Sequence, residues 1–183
     1  MIKKKEIILA VTGSIAAYKS CEIIRRLKEE GFLITVIMTK EAEKFITSLS
    51  LQTLSERKVY RDMFIELEDF QEMAHISLAK KAGLILIAPA TANIIGKIAS
   101  GIADDLLNAM VLSTKSKIII APAMNENMYR NRIVQENIRK LKTLGMHFVG
   151  PIKGKLVCGD IGIGCLAPVD IIVGEVKNII RKK

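Results

Sequence analysis

The chain predicts a doubly wound α/β fold, a parallel sheet with helices on both faces, and three observations predict it. Short, almost wholly apolar and β-branched runs, EIILAV, LITVIM, LILIAPA and KIIIAPA, recur along the 183 residues. Runs of that kind suit strands buried on both faces, as parallel strands are. Between them lie segments with apolar residues at helical spacing, so that strand and helix alternate. The runs also end in small or hydroxyl-bearing residues, at the carboxyl ends where such sheets take their ligands.

The first run, EIILAVTG, predicts a strand that ends at Gly13. From 15 to 30 the apolar positions Ala16, Ile23, Ile24 and Leu27 mark one helical face, closed by Gly31. LITVIMT is a second strand, followed by a helical stretch from Lys40 and a section of undecided structure to about Phe70. LILIAPA and KIIIAPA are strands with matching ends, and ANIIGKIASGIADDLLNAMVLS between them is helical. After Asn125 a helix with Val134, Ile138 and Leu141 on one face runs to Gly145, and MHFVG is the last strand. The segment 151–168 is rich in glycine, and Pro168 opens a final helix through Ile180. Long loops of this kind are uncommon and are often functional. Neither an internal repeat nor a linker interrupts the pattern, so residues 1–183 are expected to form one domain.

Composition narrows the function classes. Half of the residues are hydrophobic, 4% are aromatic and Trp is absent. The core is therefore aliphatic, and the chain lacks an aromatic platform on which nucleic-acid bases could stack. Lys3, Lys4, Lys5, Arg181, Lys182 and Lys183 at the two ends supply six of the nine net positive charges. Elsewhere basic residues alternate with Glu, as in RRLKEE, the pattern of a solvated helix face. Nucleic-acid binding is not expected, whereas anionic small molecules fit. Three cysteines, Cys21, Cys158 and Cys165, make no complete disulfide framework. The most apolar region is broken by Pro89, Lys97, Asp104 and Asp105, so no membrane span is expected. A reduced, cytoplasmic protein is the expectation.

Five loops remain as candidates for chemistry. TGSIAAYK opens a helix after the first strand, and its backbone amides with the Ser14 hydroxyl suit a phosphate. A tight turn with Ser14 as helix cap is the other role open to it. It is not GxGxxG, which argues against an ordinary NAD site and is compatible with a mononucleotide. APATAN repeats the geometry, with a hydroxyl from Thr91 and Asn93 as the candidate cap of the next helix, and Thr39 after the second strand adds a third hydroxyl. APAMNENMY places Asn125 just past a strand, as a helix cap or as a ligand's partner. His75, at the start of HISLAKKA, is either an ordinary polar residue or a proton-transfer group suited to neutral pH. In GKLVCGDIGIGC, Cys158 sits among glycines where a flap can bring it to a ligand. The spacing of Cys158 and Cys165 and the lone histidines give no zinc pattern, so no metal is expected.

Taken together, TGSIAAYK, His75, APATANIIGKIASGIADDLL, PAMNENMY and LVCGDIGIG resemble the homo-oligomeric flavin-containing cysteine decarboxylases over nearly the whole chain. The PxMNxxM motif and the glycine-rich cysteine flap are similar to the branch that acts on 4′-phosphopantothenoylcysteine in coenzyme A biosynthesis. The resemblance implies FMN as cofactor, in contact with Gly13, Ser14, Ile15, Thr39, Thr91, Ala92, Asn93, Ile94 and Ala123. It implies that Asn125 holds the substrate carboxylate, with Met124 and Lys155 also at the substrate. His75 would act as acid or base during oxidation, Cys158 would supply a proton, and the flap at about 151–168 would close over the site. The implied chemistry is physically sound. Decarboxylation of a plain cysteinyl amide leaves a carbanion without an electron sink, whereas hydride loss to FMN gives a thioaldehyde whose C=S group takes the electrons. The enethiol that follows is reduced again, with no net redox change.

The resemblance further implies a trimer as the minimum assembly, often grouped into dodecamers, with FMN near subunit interfaces. Many members carry Arg two residues before Ala in a GxGRxA pattern, where this chain has Cys165. Related readings are a peptidyl-cysteine decarboxylase of lantibiotic maturation, a flavin prenyltransferase of the same fold and a non-catalytic regulatory subunit. The flap sequence favours the coenzyme A branch, and His75, Asn125 and Cys158 together count against the regulator. In many bacteria this domain is fused to a synthetase domain, so the chain is expected to be either a stand-alone enzyme or part of such a fusion.

Overall fold

The apolar runs become the middle of one sheet. The computed structural model describes residues 6–64, 73–157 and 159–181. In it the strands β1 (Glu6–Val11), β2 (Leu33–Met38), β3 (Val59–Tyr60), β4 (Leu84–Ala90), β5 (Ile118–Pro122) and β6 (His147–Phe148) lie in the order β3-β2-β1-β4-β5-β6. Every neighbouring pair is parallel. The helices are α1 (Ser20–Glu29), α2 (Ser48–Ser55), α3 (Ala74–Lys81), α4 (Ala92–Ser100), α5 (Leu106–Ser113), α6 (Glu126–Arg130), α7 (Arg132–Thr143) and α8 (Val169–Arg181).

Strand alternation splits the core into two layers. Ile7, Leu9 and Val11 of β1 face α1, α2 and α8, where Ile24, Leu27, Leu51, Ile172 and Val176 are buried. Ile8 and Ala10 face α3, α4, α5 and α7, through Leu78, Ile95, Met110 and Leu141. With helices over both faces, strands in the middle of the sheet gain from being apolar at every position, which is why the runs show no polar alternation. The sheet order reverses between β1 and β4, so the connections leaving these two strands diverge and open a crevice at their carboxyl ends.

Buried hydroxyls pin that crevice. The Thr12 hydroxyl, 1% exposed, donates to the Pro89 carbonyl at 2.7 Å and accepts the Thr91 N–H at 3.2 Å. The Ser20 hydroxyl donates to the Ala88 carbonyl at 3.1 Å. The ends of β1 and β4 are thereby held together through groups that would otherwise be buried unsatisfied.

Several elements differ in detail from the sequence expectation. The first helix opens with a tight 3₁₀ turn, Ile15–Lys19, before α1 begins at Ser20. The helical region between β4 and β5 is two helices, because Gly101 adopts φ +71° and ends α4. The helix after Asn125 is also two, since Asn131 leaves helical geometry and caps α7 through the Ile133 N–H at 2.9 Å. The undecided section contains α2 and the edge strand β3. The largest correction concerns 151–168, which is no irregular loop: β7 (Ile152–Lys155) and β8 (Ile161–Cys165) pair antiparallel as a separate hairpin. Cys158 lies outside the described residues.

Candidate functional site

Three chain reversals meet at the carboxyl ends of β1, β4 and β5, and each is built by the same capping chemistry. Ser14 accepts the Ala16 N–H at 3.3 Å and opens the 3₁₀ turn. Thr91 accepts the Ile94 N–H at 3.3 Å and opens α4. Asn125 accepts the Asn127 N–H at 2.8 Å and opens α6. Helix starts present backbone N–H groups and positive dipole ends, an environment that favours anions. The alternative left open for Asn125 is thus half answered: the residue does cap. Capping occupies its side-chain oxygen alone and leaves the two amide N–H donors available to a ligand.

Between these reversals lies a cavity of about 550 Å³, within the usual range of roughly 300–1,000 Å³ for small-molecule sites. Its floor is Gly13, Ser14, Ile15 and Ala16 from the first loop, with Thr91 and Ala92 from the second. Ala123, Met124 and Asn125 form one wall, and Met128 of α6 extends it. The hairpin closes the other side with Lys155, Leu156 and Val157, and with Gly164, Cys165 and Leu166 at the end of β8. Among the described lining residues two, Lys19 and Lys155, are cationic and none is acidic, a balance that favours a negatively charged ligand.

Gly13 is fixed by close approach. A Cβ at that position would run into the Cβ of Glu41 from the loop after β2, so only glycine lets the two loops meet here. The same β2 loop carries Thr39, 8% exposed, whose hydroxyl oxygen is buried without a hydrogen-bond partner. A buried orphan hydroxyl at a strand end is costly unless a ligand completes it.

The sequence-derived residues divide by position. Gly13, Ser14, Ile15, Thr91, Ala92, Ala123, Met124, Asn125 and Lys155 line the cavity together. Thr39 lies buried at the end of β2, Asn93 is exposed in the first turn of α4, and Ile94 is buried behind it; none of the three is on the lining. His75, in the first turn of α3, does not line the cavity of its own chain either, and its Nδ1 is buried without a partner. Cys158 lies outside the described residues. His147 is exposed on β6, away from this lining. Lys19 escaped the sequence reading because one more lysine after a tyrosine looks like an ordinary helix-face charge. Tyr18 and Met128 also belong to the lining. Among the described residues no group of His, Cys, Asp or Glu could hold a metal ion, and no helix is long and apolar enough to cross a membrane.

Glu126, beside Asn125, keeps its carboxyl below the usual carboxylate range. The chief cause is its hydrogen bond with Arg130, at 2.9 Å, joined by the Ile163 N–H of the hairpin and the nearby charge of Lys153. Burial pushes the Cys21 thiol up, the behaviour of a packed rather than a reactive cysteine.

Comparison with known proteins agrees with this geometry. The Flavoprotein family model matches residues 1–181. The coenzyme A biosynthesis bifunctional protein CoaBC of Vibrio vulnificus is 46% identical over 169 residues, which are 92% of this chain and 42% of that protein. The chain thus spans less than half the length of that relative. A probable phosphopantothenoylcysteine decarboxylase of Streptococcus mutans is 42% identical over 95% of this chain and 98% of its own. Among solved structures, a PPC decarboxylase variant complexed with pantothenoylaminoethenethiol superimposes with a TM-score of 0.87 and 30% identity, covering 97% of this chain and 98% of that one. The FMN binding protein AtHal3 gives a TM-score of 0.87 and 31% identity, covering 99% of both chains. With the family model matched from end to end, the cavity at the β1–β4 switch point and the sheet around it are those of a member of the Flavoprotein family.

Proposed function

We propose that the chain is an FMN-dependent decarboxylase that converts 4′-phospho-N-pantothenoylcysteine to 4′-phosphopantetheine and CO2 in coenzyme A biosynthesis. The observation that carries this reading is the cavity itself. Three helix starts and two lysines make it receptive to anions, an apolar wall makes it receptive to a flat ring, and Asn125 faces it from the PAMNENM motif. The names of the relatives at 42% and 46% identity support the same substrate.

The residues present fit a phosphorylated flavin. Gly13 lets the first loop pack directly on the β2 loop at Glu41, and the hydroxyl of Thr39 in that β2 loop is buried without a partner, as a group a ligand completes would be. Gly13, Ser14, Ile15, Thr39 and residues Thr91 to Ile94 would hold FMN, with Ala123 against the ring. When bound, FMN supplies hydride acceptance and return, the step that gives decarboxylation its electron sink. The remaining work falls to the chain. The free amide N–H groups of Asn125 hold the cysteine carboxylate in place until it departs, and Met124 fixes the neighbouring part of the substrate. Lys155 adds positive charge from the hairpin. Cys158 supplies the final proton.

His75 serves as the acid or base, and its position outside the cavity of its own chain points to a homo-oligomer in which a neighbouring copy brings it to the site. Ile15 and Tyr18, at the cavity, are 52% and 60% exposed, as residues awaiting a partner surface would be. The test is release of labelled CO2 from substrate labelled at the cysteine carboxyl, by protein reconstituted with FMN. Release is expected from the unaltered chain and not from His75→Ala. Bound FMN without CO2 release would move the chain to a different substrate.

A further inference from the structure

The hairpin's position over the cavity depends on how β8 is fastened to the segment that carries Asn125. One tie is backbone to backbone: the Met124 N–H donates to the Gly164 carbonyl at 3.0 Å. The other belongs to a side chain. The Glu126 carboxylate lies against the backbone of β8, near the Ile163 N–H, and sits where a Cβ on Gly162 would be, so the bare Gly162 lets β8 come down on it. Leu156, from the hairpin's own tip, covers the same glycine. Glu126 Oε1 also accepts from Arg130 Nε at 2.9 Å, and Lys153 of β7 contributes a nearby positive charge.

The Arg130 pair alone would be an ordinary exposed helix pair of little worth, since the Arg130 side chain is 68% exposed. A carboxylate seated against the backbone of a different element, near its Ile163 N–H and the Lys153 charge, is another matter, because an ionised acceptor interacts with such donors more strongly than a neutral one does. Met124, Asn125 and Glu126 are consecutive, so a tie, the candidate carboxylate clamp and a second tie follow one another along the chain. Any shift of β8 on α6 changes the distance between Asn125 and the hairpin residues Lys155 and Leu156 that face it across the cavity.

We propose that Glu126 is a positioning residue whose carboxylate latches β8 to α6 and thereby sets the hairpin over the cavity. The catalytic consequence rests on the decarboxylase reading above, whereas the latch itself does not. Amide hydrogen exchange of the full chain without substrate tests the latch. Glu126→Ala is expected to speed exchange of the amides in 152–165 by about tenfold or more, as loss of a charged contact between the two elements would, while β1, β4 and β5 stay unchanged. Glu126→Gln keeps an acceptor oxygen and is expected to restore most of the protection. Gly162→Ala should loosen the hairpin with Glu126 present, and the double variant Gly162→Ala, Glu126→Ala should loosen it by less than the sum.

In turnover, Glu126→Ala is expected to raise KM for 4′-phosphopantothenoylcysteine about tenfold with a smaller change in kcat. Hairpin exchange equal to that of the unaltered chain, or loosening spread evenly through the sheet, would overturn the latch. Loosening without a rise in KM would overturn its positioning role. An unaltered chain that does not turn this substrate over would overturn the decarboxylase reading instead, and exchange alone would then decide the latch.

Discussion

At the scale of the residue, Asn125 separates two roles that the sequence leaves superimposed. Aspartate is as good a helix cap as asparagine, but it exchanges the amide donors for a negative charge. Asn125→Asp is therefore expected to keep the stability of the protein, measured by urea unfolding, and to lower kcat/KM by about a hundredfold or more, because like charges brought together cost several kcal/mol. Equal losses of stability and activity would return Asn125 to a purely structural role. Thr12→Val makes the opposite prediction. Its hydroxyl serves the Pro89 carbonyl and the Thr91 N–H at once, so removing it leaves both buried groups without their partner. Unfolding free energy should fall by about 1–3 kcal/mol. Asn125 and Ser14 were legible because strand ends and helix caps have sequence signatures, whereas in APATAN the cap expected at Asn93 is supplied by Thr91. Thr12 was not, because its partners are 77 and 79 residues away.

At the scale of the element, the strands were legible and the breaks between helices were less so. Continuous apolar runs admit little besides buried parallel strands when helices separate them. The division of the 92–113 region turns on the local conformation of Gly101, and that after Asn125 on a second capping asparagine, Asn131. The hairpin was missed for a more instructive reason. In β8 the side facing the protein is Gly162 and Gly164, both buried, while Ile161 is 73% exposed. A strand that packs through its glycines inverts the usual pattern and reads as a loop. Gly13 is the other place where a missing side chain shapes an element. Gly13→Ala puts a Cβ against Glu41 and should force the two loops apart, at a cost of about 1–3 kcal/mol. Flavin fluorescence titration is expected to show weaker FMN binding in this variant; unchanged affinity would remove the first loop from the proposed cofactor site.

At the scale of the whole molecule, the fold class was legible from the alternation of elements, and the sheet order then located the site without further information. The place of His75 was not legible, since nothing in a single sequence states which copy of a chain a side chain will serve. If His75 acts in a neighbour's site, mixing inactive His75→Ala with inactive Asn125→Ala chains, after dissociation and reassembly, should restore measurable decarboxylation. Sites formed between the two variants would then include some with both residues intact. Absence of any recovery in reassembled mixtures would place both residues in the same subunit's site.

The central claim is tested most directly by anaerobic incubation of the FMN-loaded protein with 4′-phosphopantothenoylcysteine, with the product followed by mass spectrometry. Loss of one CO2 with no net change in oxidation, giving 4′-phosphopantetheine, is the predicted result. Unchanged substrate beside fully bound flavin would contradict it.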